Sequence, residues 1–318
     1  MSSVGSSILI ALGGNAISPP GEEGNVQQQF AHTEESMQAV VSAVAGKYDR
    51  VVITHGNGPQ VGNILLRSEI AAQGGLYPLP LDTCVSASEG GMGYMIQQVL
   101  HNVLRQRGLT IGVASLVTQT VVDGKDPAWA NPTKFIGQGY PLQEAQALMA
   151  ERGWRMKEDT SRGWRRVVPS PAPMDIIELP AIRALLDAGT WVVAAGGGGI
   201  PVLLNPQGRL LGVEAVVDKD LASALLARLL GIELLVILTG VDEVMLDFGT
   251  PSERTMREVT ADEAERYLHE GQFPEGSMGP KIQAAVNFVR EGGKPVLITS
   301  TEAFAAAVRG ESGTMVTA

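Results

Sequence analysis

"RVVITHGNGPQVGN" (residues 50–63) joins a β-branched run to a helical pattern through a turn holding Gly56, Asn57, Gly58 and Pro59. β-branched residues suit strands, and proline suits the first turn of a helix. Glycines let backbone N–H groups approach a ligand closely and adopt dihedrals other residues avoid. The stretch therefore reads as strand, tight turn and helix start, with the turn lying at the carboxyl end of the strand. Two further turns have this character. "ALGGNAI" (11–17) ends the run "SILIAL", and "AAGGGGIPV" (194–202) ends "TWVVAA". Ligands of open α/β sheets gather beyond the carboxyl ends of strands. One such turn is as readily explained by tight strand–helix packing; three together favour a ligand, small and anionic.

The remaining chain repeats the alternation. Apolar runs "TIGVASLVTQTVV" (110–122), "LLVILTGV" (234–241) and "KPVLIT" (294–299) are separated by helical patterns. Those patterns fall at 26–46, 59–74, 84–106, 177–188, 219–230, 262–270 and 281–291. Strands apolar on both faces, alternating with helices, predict a three-layer α/β sandwich around a mainly parallel sheet. Thr260 and Glu263 form a capping-box pattern before "ADEAERYL", and Pro280 takes a first-turn position before "KIQAAVNFV". The interval 123–175 breaks the rhythm. It holds Trp129, Trp154 and Trp164 and the charged run "ERGWRMKEDTSRGWRRVV". Tryptophans in an aromatic-poor chain imply local packing, so this interval is expected to be a small subdomain projecting over the sheet.

Composition sets outer limits. A chain of 318 residues suffices for one large α/β domain or two lobes, and 44% hydrophobic with 18% charged residues is ordinary for a soluble globular protein. A net charge of −10 argues against nucleic acid or anionic membrane as partner, though not against a phosphorylated ligand held locally. The single cysteine, Cys84, forms no internal disulfide, fits a reducing compartment, and reads as a small buried hydrophobe. Four scattered histidines offer no Cys/His metal framework. The start "MSSVGSSILIALGG" has no basic segment of a signal peptide, and no apolar stretch reaches membrane-span length. A cytoplasmic protein is expected.

Neither G-x-x-x-x-G-K-[ST] nor G-x-G-x-x-G occurs, so phosphate chemistry must use another arrangement. Lysine supplies one. Of seven lysines against seventeen arginines, three have unusual settings: Lys134 in "ANPTKFIG", Lys219 in "AVVDKDLAS" and Lys281 in "GSMGPKIQ". Each alone is most simply a solvated lysine. Lys219 and Lys281, however, fall in the first turns of predicted helices, where a cation opposes the helix dipole unless an anion is bound. Asp218 and Asp220 flank Lys219; such acids cap helices, and one could instead orient a lysine or help hold Mg²⁺. Phosphoryl transfer needs this equipment and little more, namely compact cations and preorganised backbone donors around a charged group.

These strings, in order along nearly the whole chain, resemble those of carbamate kinases, members of the amino-acid kinase superfamily. They are "ALGGNAI", "HGNGPQVGN", "PLDTCVS", "NPTKFIG", "SRGWRRVVPSP", "GGGGIPV", "GVEAVVDKDLAS", "LTGVD" and "GSMGPKI". The resemblance implies one amino-acid-kinase-like domain over 1–318, assembled as a homodimer. It implies an N-terminal lobe (1–190) for carbamate or carbamoyl phosphate, with 123–175 as the protruding subdomain, and a C-terminal lobe (191–318) for Mg·ATP or Mg·ADP. By motif, Lys134, Lys219 and Lys281 correspond to three phosphate-handling lysines and Asp220 to the acid organising them. Gly13, Gly14, Asn15, Gly56, Asn57 and Gly58 correspond to the site for carbamate and the transferring phosphoryl group. Thr239, Gly240, Val241 and Met278, with Lys219 and Lys281, correspond to the nucleotide side, and Mg²⁺ is implied to arrive on the nucleotide. The implied reaction is ATP + carbamate exchanging with ADP + carbamoyl phosphate, used for ATP formation in arginine metabolism. Another acyl-phosphate-forming kinase would need a side-chain pocket that short Gly-Asn turns do not offer. A catalytically silent nucleotide-binding regulator is disfavoured by the presence of all three lysines. Two departures stand out: Phe135, Gln138 and Gly139 replace the family's prolines and aromatic after the first lysine, and Glu243 replaces an aromatic after "GVD".

Overall fold

The apolar runs become neighbours in one eight-stranded sheet of a computed structural model that describes residues 6–19, 21–159, 162–274 and 277–318. From one edge the strands run 258–260, 314–317, 296–300, 234–239, 7–12, 50–55, 191–193 and 113–115. All neighbours are parallel except 296–300 with 314–317. Nine helices are described: α1 (Val26–Val44), α2 (Gly58–Gln73), α3 (Leu81–Gln106), α4 (Leu142–Arg152), α5 (Leu179–Asp187), α6 (Lys219–Leu230), α7 (Ala261–His269), α8 (Met278–Gly292) and α9 (Phe304–Ala307).

The strand period of two builds the layers. Ile8, Ile10 and Leu12 join Met37, Val40, Ile96 and Leu100 from α1 and α3 on one face. Leu9 and Ala11 join Ile182, Leu226, Ile282 and Phe288 from α5, α6 and α8 on the other. Both faces are covered, as the doubly apolar strands predict. Cys84 is fully buried in a smaller apolar cluster, where burial pushes its thiol up to about 11.

Register matters more to the site than strand order does. Strands 7–12 and 50–55 pair from Ser7 with Arg50 through Leu12 with His55. Their following turns therefore leave the sheet side by side. Ile53 pairs with Val193, which brings the third glycine turn to the same rim.

The run 110–122 is not one strand. Residues 113–115 stay in the central sheet, while 119–122 enter a second sheet ordered 210–212, 200–204, 119–122, 173–176. The break has a tertiary cause: the Thr118 N–H donates to the Glu89 carboxyl group at 3.1 Å instead of to a strand.

Within 123–175, strands 134–140, 163–168 and 156–159 form a separate three-stranded sheet. Trp154 and Trp164 pack there with Tyr140, Ala145 and Met156, whereas Trp129 packs on Val122, Val217 and Ala222. Helix α4 is absent from the sequence-based pattern. The charged stretch around it obscures its narrow apolar face, of which Ala145 is the one buried residue. The small sheet docks onto α2 through two glycines. A Cβ on Gly62 would stand 2.0 Å from the Gly137 Cα, so a side chain there is excluded. Arg152 and Arg166 add ion pairs to Glu69 of α2 at 2.9 and 2.8 Å.

Candidate active site

A cleft of about 480 Å³ opens where the glycine turns meet the first turns of α6 and α8. Gly13, Gly14, Gly56, Asn57, Gly58 and Gly197 line one side, and Lys219, Asp220 and Lys281 the other. Lys134 reaches in from the first position of strand 134–140. Side chains separated widely in sequence thus converge on one space.

Two carboxylates organise the three cations. Asp220, on a side chain only 4% exposed, meets Lys219 through Oδ1 at 2.7 Å and Lys281 through Oδ2 at 3.0 Å. Among the described residues Oδ1 has no well-aligned hydrogen-bond donor, so the Lys219 contact acts chiefly through charge. Asp218 caps α6, with Oδ1 accepting from the N–H groups of Asp220 (2.8 Å) and Leu221 (3.2 Å). Its Oδ2 accepts from Lys134 Nζ at 2.6 Å. Asp218 is therefore both a helix cap and the partner of a site lysine. Helix α6 is tied in place by a 2.6 Å hydrogen bond between the Thr54 and Ser223 hydroxyls.

Burial and pairing compete at every one of these groups. Burial is the largest single influence and would raise both carboxyls, yet Lys134 with Lys281 together outweigh it at Asp218, and Lys219 with Lys281 at Asp220, so both lie below the usual range. Burial holds Lys219 below the ordinary lysine value despite Asp220. At Lys281 burial acts in the same sense but the attraction of Asp220 exceeds it, leaving the ammonium above its ordinary value. The site is a charged cluster of fixed geometry, able to exchange carboxylate contacts for phosphate oxygens.

The acceptor side is built from backbone. Gly56 stands against Gly14, with a Cβ position 3.3 Å from the Gly14 nitrogen. Asn57 is buried, donates to Ser88 Oγ at 2.8 Å, and is backed by Gly197. The backing turn has positive φ at Ala195 (48°), Gly197 (65°), Gly198 (92°) and Gly199 (80°), which explains its run of glycines. The side chain of Asn15 lies outside the described residues.

Other residues singled out from the sequence lie beside or beyond this cleft. Thr239, Gly240, Val241 and Met278 are not among the residues lining the cleft; Ser277, Pro280 and Lys281 form that wall. Pro280, the third residue of α8, lies in the helix's first turn as its sequence position indicates. Phe135 lines the cleft beside Lys134, and Glu243 forms an ion pair with Arg257 at 3.2 Å. Among the described residues no group of three His, Cys, Asp or Glu is arranged to hold a metal. Asp218 and Asp220 are both engaged by lysines and so orient the cations of the cleft. Sequence reasoning missed the pairing of Asp218 with Lys134, and missed Arg165. The buried Arg165 donates to Gly137 O at 2.9 Å and to Asp159 at 3.0 Å, bracing the lysine-bearing strand. No local pattern marks it.

The model of the amino acid kinase family matches residues 6–300. The chain belongs to that family. Within it, the chain is 46% identical to the carbamate kinase of Pyrococcus horikoshii over 98% of both chains. It superposes on the carbamate kinase from Giardia lamblia bound to citric acid with a TM-score of 0.93 at 40% identity, covering 99% of each chain. The same Giardia enzyme bound to AMP-PNP gives a TM-score of 0.89, again at 40% identity over 99% of each chain.

Proposed function

We propose that the chain is a carbamate kinase, a phosphotransferase that exchanges a phosphoryl group between Mg·ATP and carbamate to give ADP and carbamoyl phosphate. The observation that carries this reading is the meeting of Lys134, Lys219 and Lys281, held by Asp218 and Asp220, opposite the Gly13–Gly14 and Gly56–Asn57–Gly58 turns in one cleft. Phosphoryl transfer passes through a state whose charge spreads over three equatorial oxygens, so positioned cations supply the catalysis without a covalent protein nucleophile. Lys219 and Lys281 face the nucleotide phosphates from helix starts, and Lys134 completes the cationic ring from the small sheet. Asp218 and Asp220 keep the ammonium groups from scattering before phosphate enters. Mg²⁺, brought by the nucleotide, adds neutralisation between its phosphates.

The acceptor is minute and has no apolar handle, which suits recognition by backbone donors and Asn57. Carbamate already carries an anionic oxygen, so the chain needs no general base. The 1–190 lobe, with its 123–175 subdomain, serves the acceptor, and the 191–318 lobe serves the nucleotide through Thr239, Gly240, Val241, Met278, Lys219 and Lys281. We further infer a homodimer that works in the cytoplasm in the direction of ATP formation. Among the described residues no helix is long and apolar enough to cross a membrane. The test is a coupled assay for ATP from Mg·ADP and carbamoyl phosphate. Absence of ATP, or turnover of an amino-acid acyl phosphate instead, overturns the reading.

A further inference from the structure

Helix α3 contributes nothing to the lining of the cleft, yet two of its consecutive residues are deeply buried polar side chains behind it. Ser88 and Glu89 are each 2% exposed. The Ser88 hydroxyl donates its single proton to Val85 O at 2.7 Å. Toward Asn57 it can then only accept, and the Asn57 Nδ2 contact at 2.8 Å fixes which end of that amide is which. The amide oxygen is thereby turned away from α3.

Glu89 holds the backbone next door. Its Oε1 accepts from the Gly196 N–H at 2.9 Å and its Oε2 from the Thr118 N–H at 3.1 Å. Gly196 lies between the left-handed Ala195 and Gly197, and Gly197 packs on Asn57; a left-handed alanine persists only where surroundings over-determine it. The space is already full. A Cβ on Gly196 would lie 2.2 Å from His55 Nε2 and 3.0 Å from Glu89 Cγ. Among the described residues neither His55 nor Glu89 has an ion-pair partner to offset its burial: desolvation takes the imidazole down to about 4 and the carboxyl up to about 8. The two backbone hydrogen bonds repay only part of the cost at Glu89, which points to a requirement on geometry.

We propose that Ser88 and Glu89 are positioning residues for the acceptor site, Ser88 by orienting the Asn57 amide and Glu89 by fixing the glycine turn that backs it. The kinetic form of this inference rests on the carbamoyl phosphate reading above. Ser88→Ala and Glu89→Ala should each raise KM for carbamoyl phosphate about five- to tenfold, the worth of one hydrogen bond, while KM for ADP stays within about twofold. Glu89→Gln keeps an oxygen for the Gly196 N–H and should recover most of the loss. Two measurements need no substrate. Hydrogen exchange across 194–200 should accelerate at least about tenfold in Glu89→Ala, with far less change in Glu89→Gln. In asparagine-labelled protein the Asn57 side-chain amide signal should shift and lose exchange protection in Ser88→Ala.

A wild-type chain inactive on carbamoyl phosphate defeats the functional reading alone, and the exchange and amide signals then decide the positioning role. Unchanged exchange and an unchanged Asn57 signal overturn the proposal. So does a fall in activity with both KM values rising together, which is the mark of a merely structural role.

Discussion

Asp220→Asn tests the charge cluster most directly. The substitution keeps shape and removes the charge that Lys219 and Lys281 share at 2.7 and 3.0 Å. At an effective dielectric of about 20, one ion pair at 4 Å is worth roughly 4 kcal/mol, and two are lost here. Relief of the carboxylate's own desolvation offsets part of this. Two buried ammonium groups are left facing each other, and breaking one side of a buried pair typically costs about 3–5 kcal/mol. We expect urea unfolding without ligand to show a loss in that range. We also expect added inorganic phosphate to stabilise the variant more than the wild type, because the anion replaces the missing charge and binds only the folded state. Turnover should fall with stability, since the lysines lose their fixed geometry. A variant as stable as wild type, with no greater response to phosphate, would refute the idea that Asp220 holds the two lysines.

Lys219→Ala and Lys281→Ala should each lower kcat by about 10²–10³-fold, the scale of losing one preorganised group, and Lys134→Ala should do the same with ADP affinity kept within a few-fold; steady-state kinetics with calorimetry separates the effects. Asn57→Ala should bind Mg·ADP normally in calorimetry and turn over poorly, and parallel loss of ADP affinity would contradict separate acceptor and nucleotide regions. Stability should depend on pH through two buried groups. The folded carboxyl of Glu89, at about 8 against 4.5, binds a proton the unfolded chain has released, so stability falls as pH rises through that window. His55, at about 4 against 6.5, works in the opposite sense below pH 6.5. The two cancel between pH 4.5 and 6.5, and from 6.5 to 8 the Glu89 term should lower stability by roughly 1.4 kcal/mol per pH unit. Glu89→Gln should flatten that limb in urea titrations. Gly62→Ala gains about 1 kcal/mol of helix propensity but drives a Cβ into Gly137 backbone, and overpacking of about 1–3 kcal/mol or more should win. A lower melting temperature and a reduced kcat, reflecting a displaced Lys134 strand, are expected.

Local sequence determined much of this protein. Propensity and apolar period marked the central strands, and the three glycine turns marked the rim on which the cleft opens. Lys219 and Lys281 stood out because a cation at a helix start conflicts with the dipole, a conflict legible within a few residues. The Thr260–Glu263 capping box formed as its spacing required. Helix α4 escaped notice because its apolar face is narrow, and 110–122 divided because Glu89, remote in sequence, takes the Thr118 amide. Pairing was decided only by tertiary structure. Lys134 meets Asp218 across 84 residues, Lys281 meets Asp220 across 61, and Glu89 meets Gly196 across 107. Nothing near Asp218 in sequence indicates which cation it will hold, because that depends on where a docked sheet ends. Turn chemistry and helix starts are short-range properties of the chain. Charge pairing and the shared rim of the three turns follow from strand register and from Gly62 meeting Gly137, which exist only once distant segments pack.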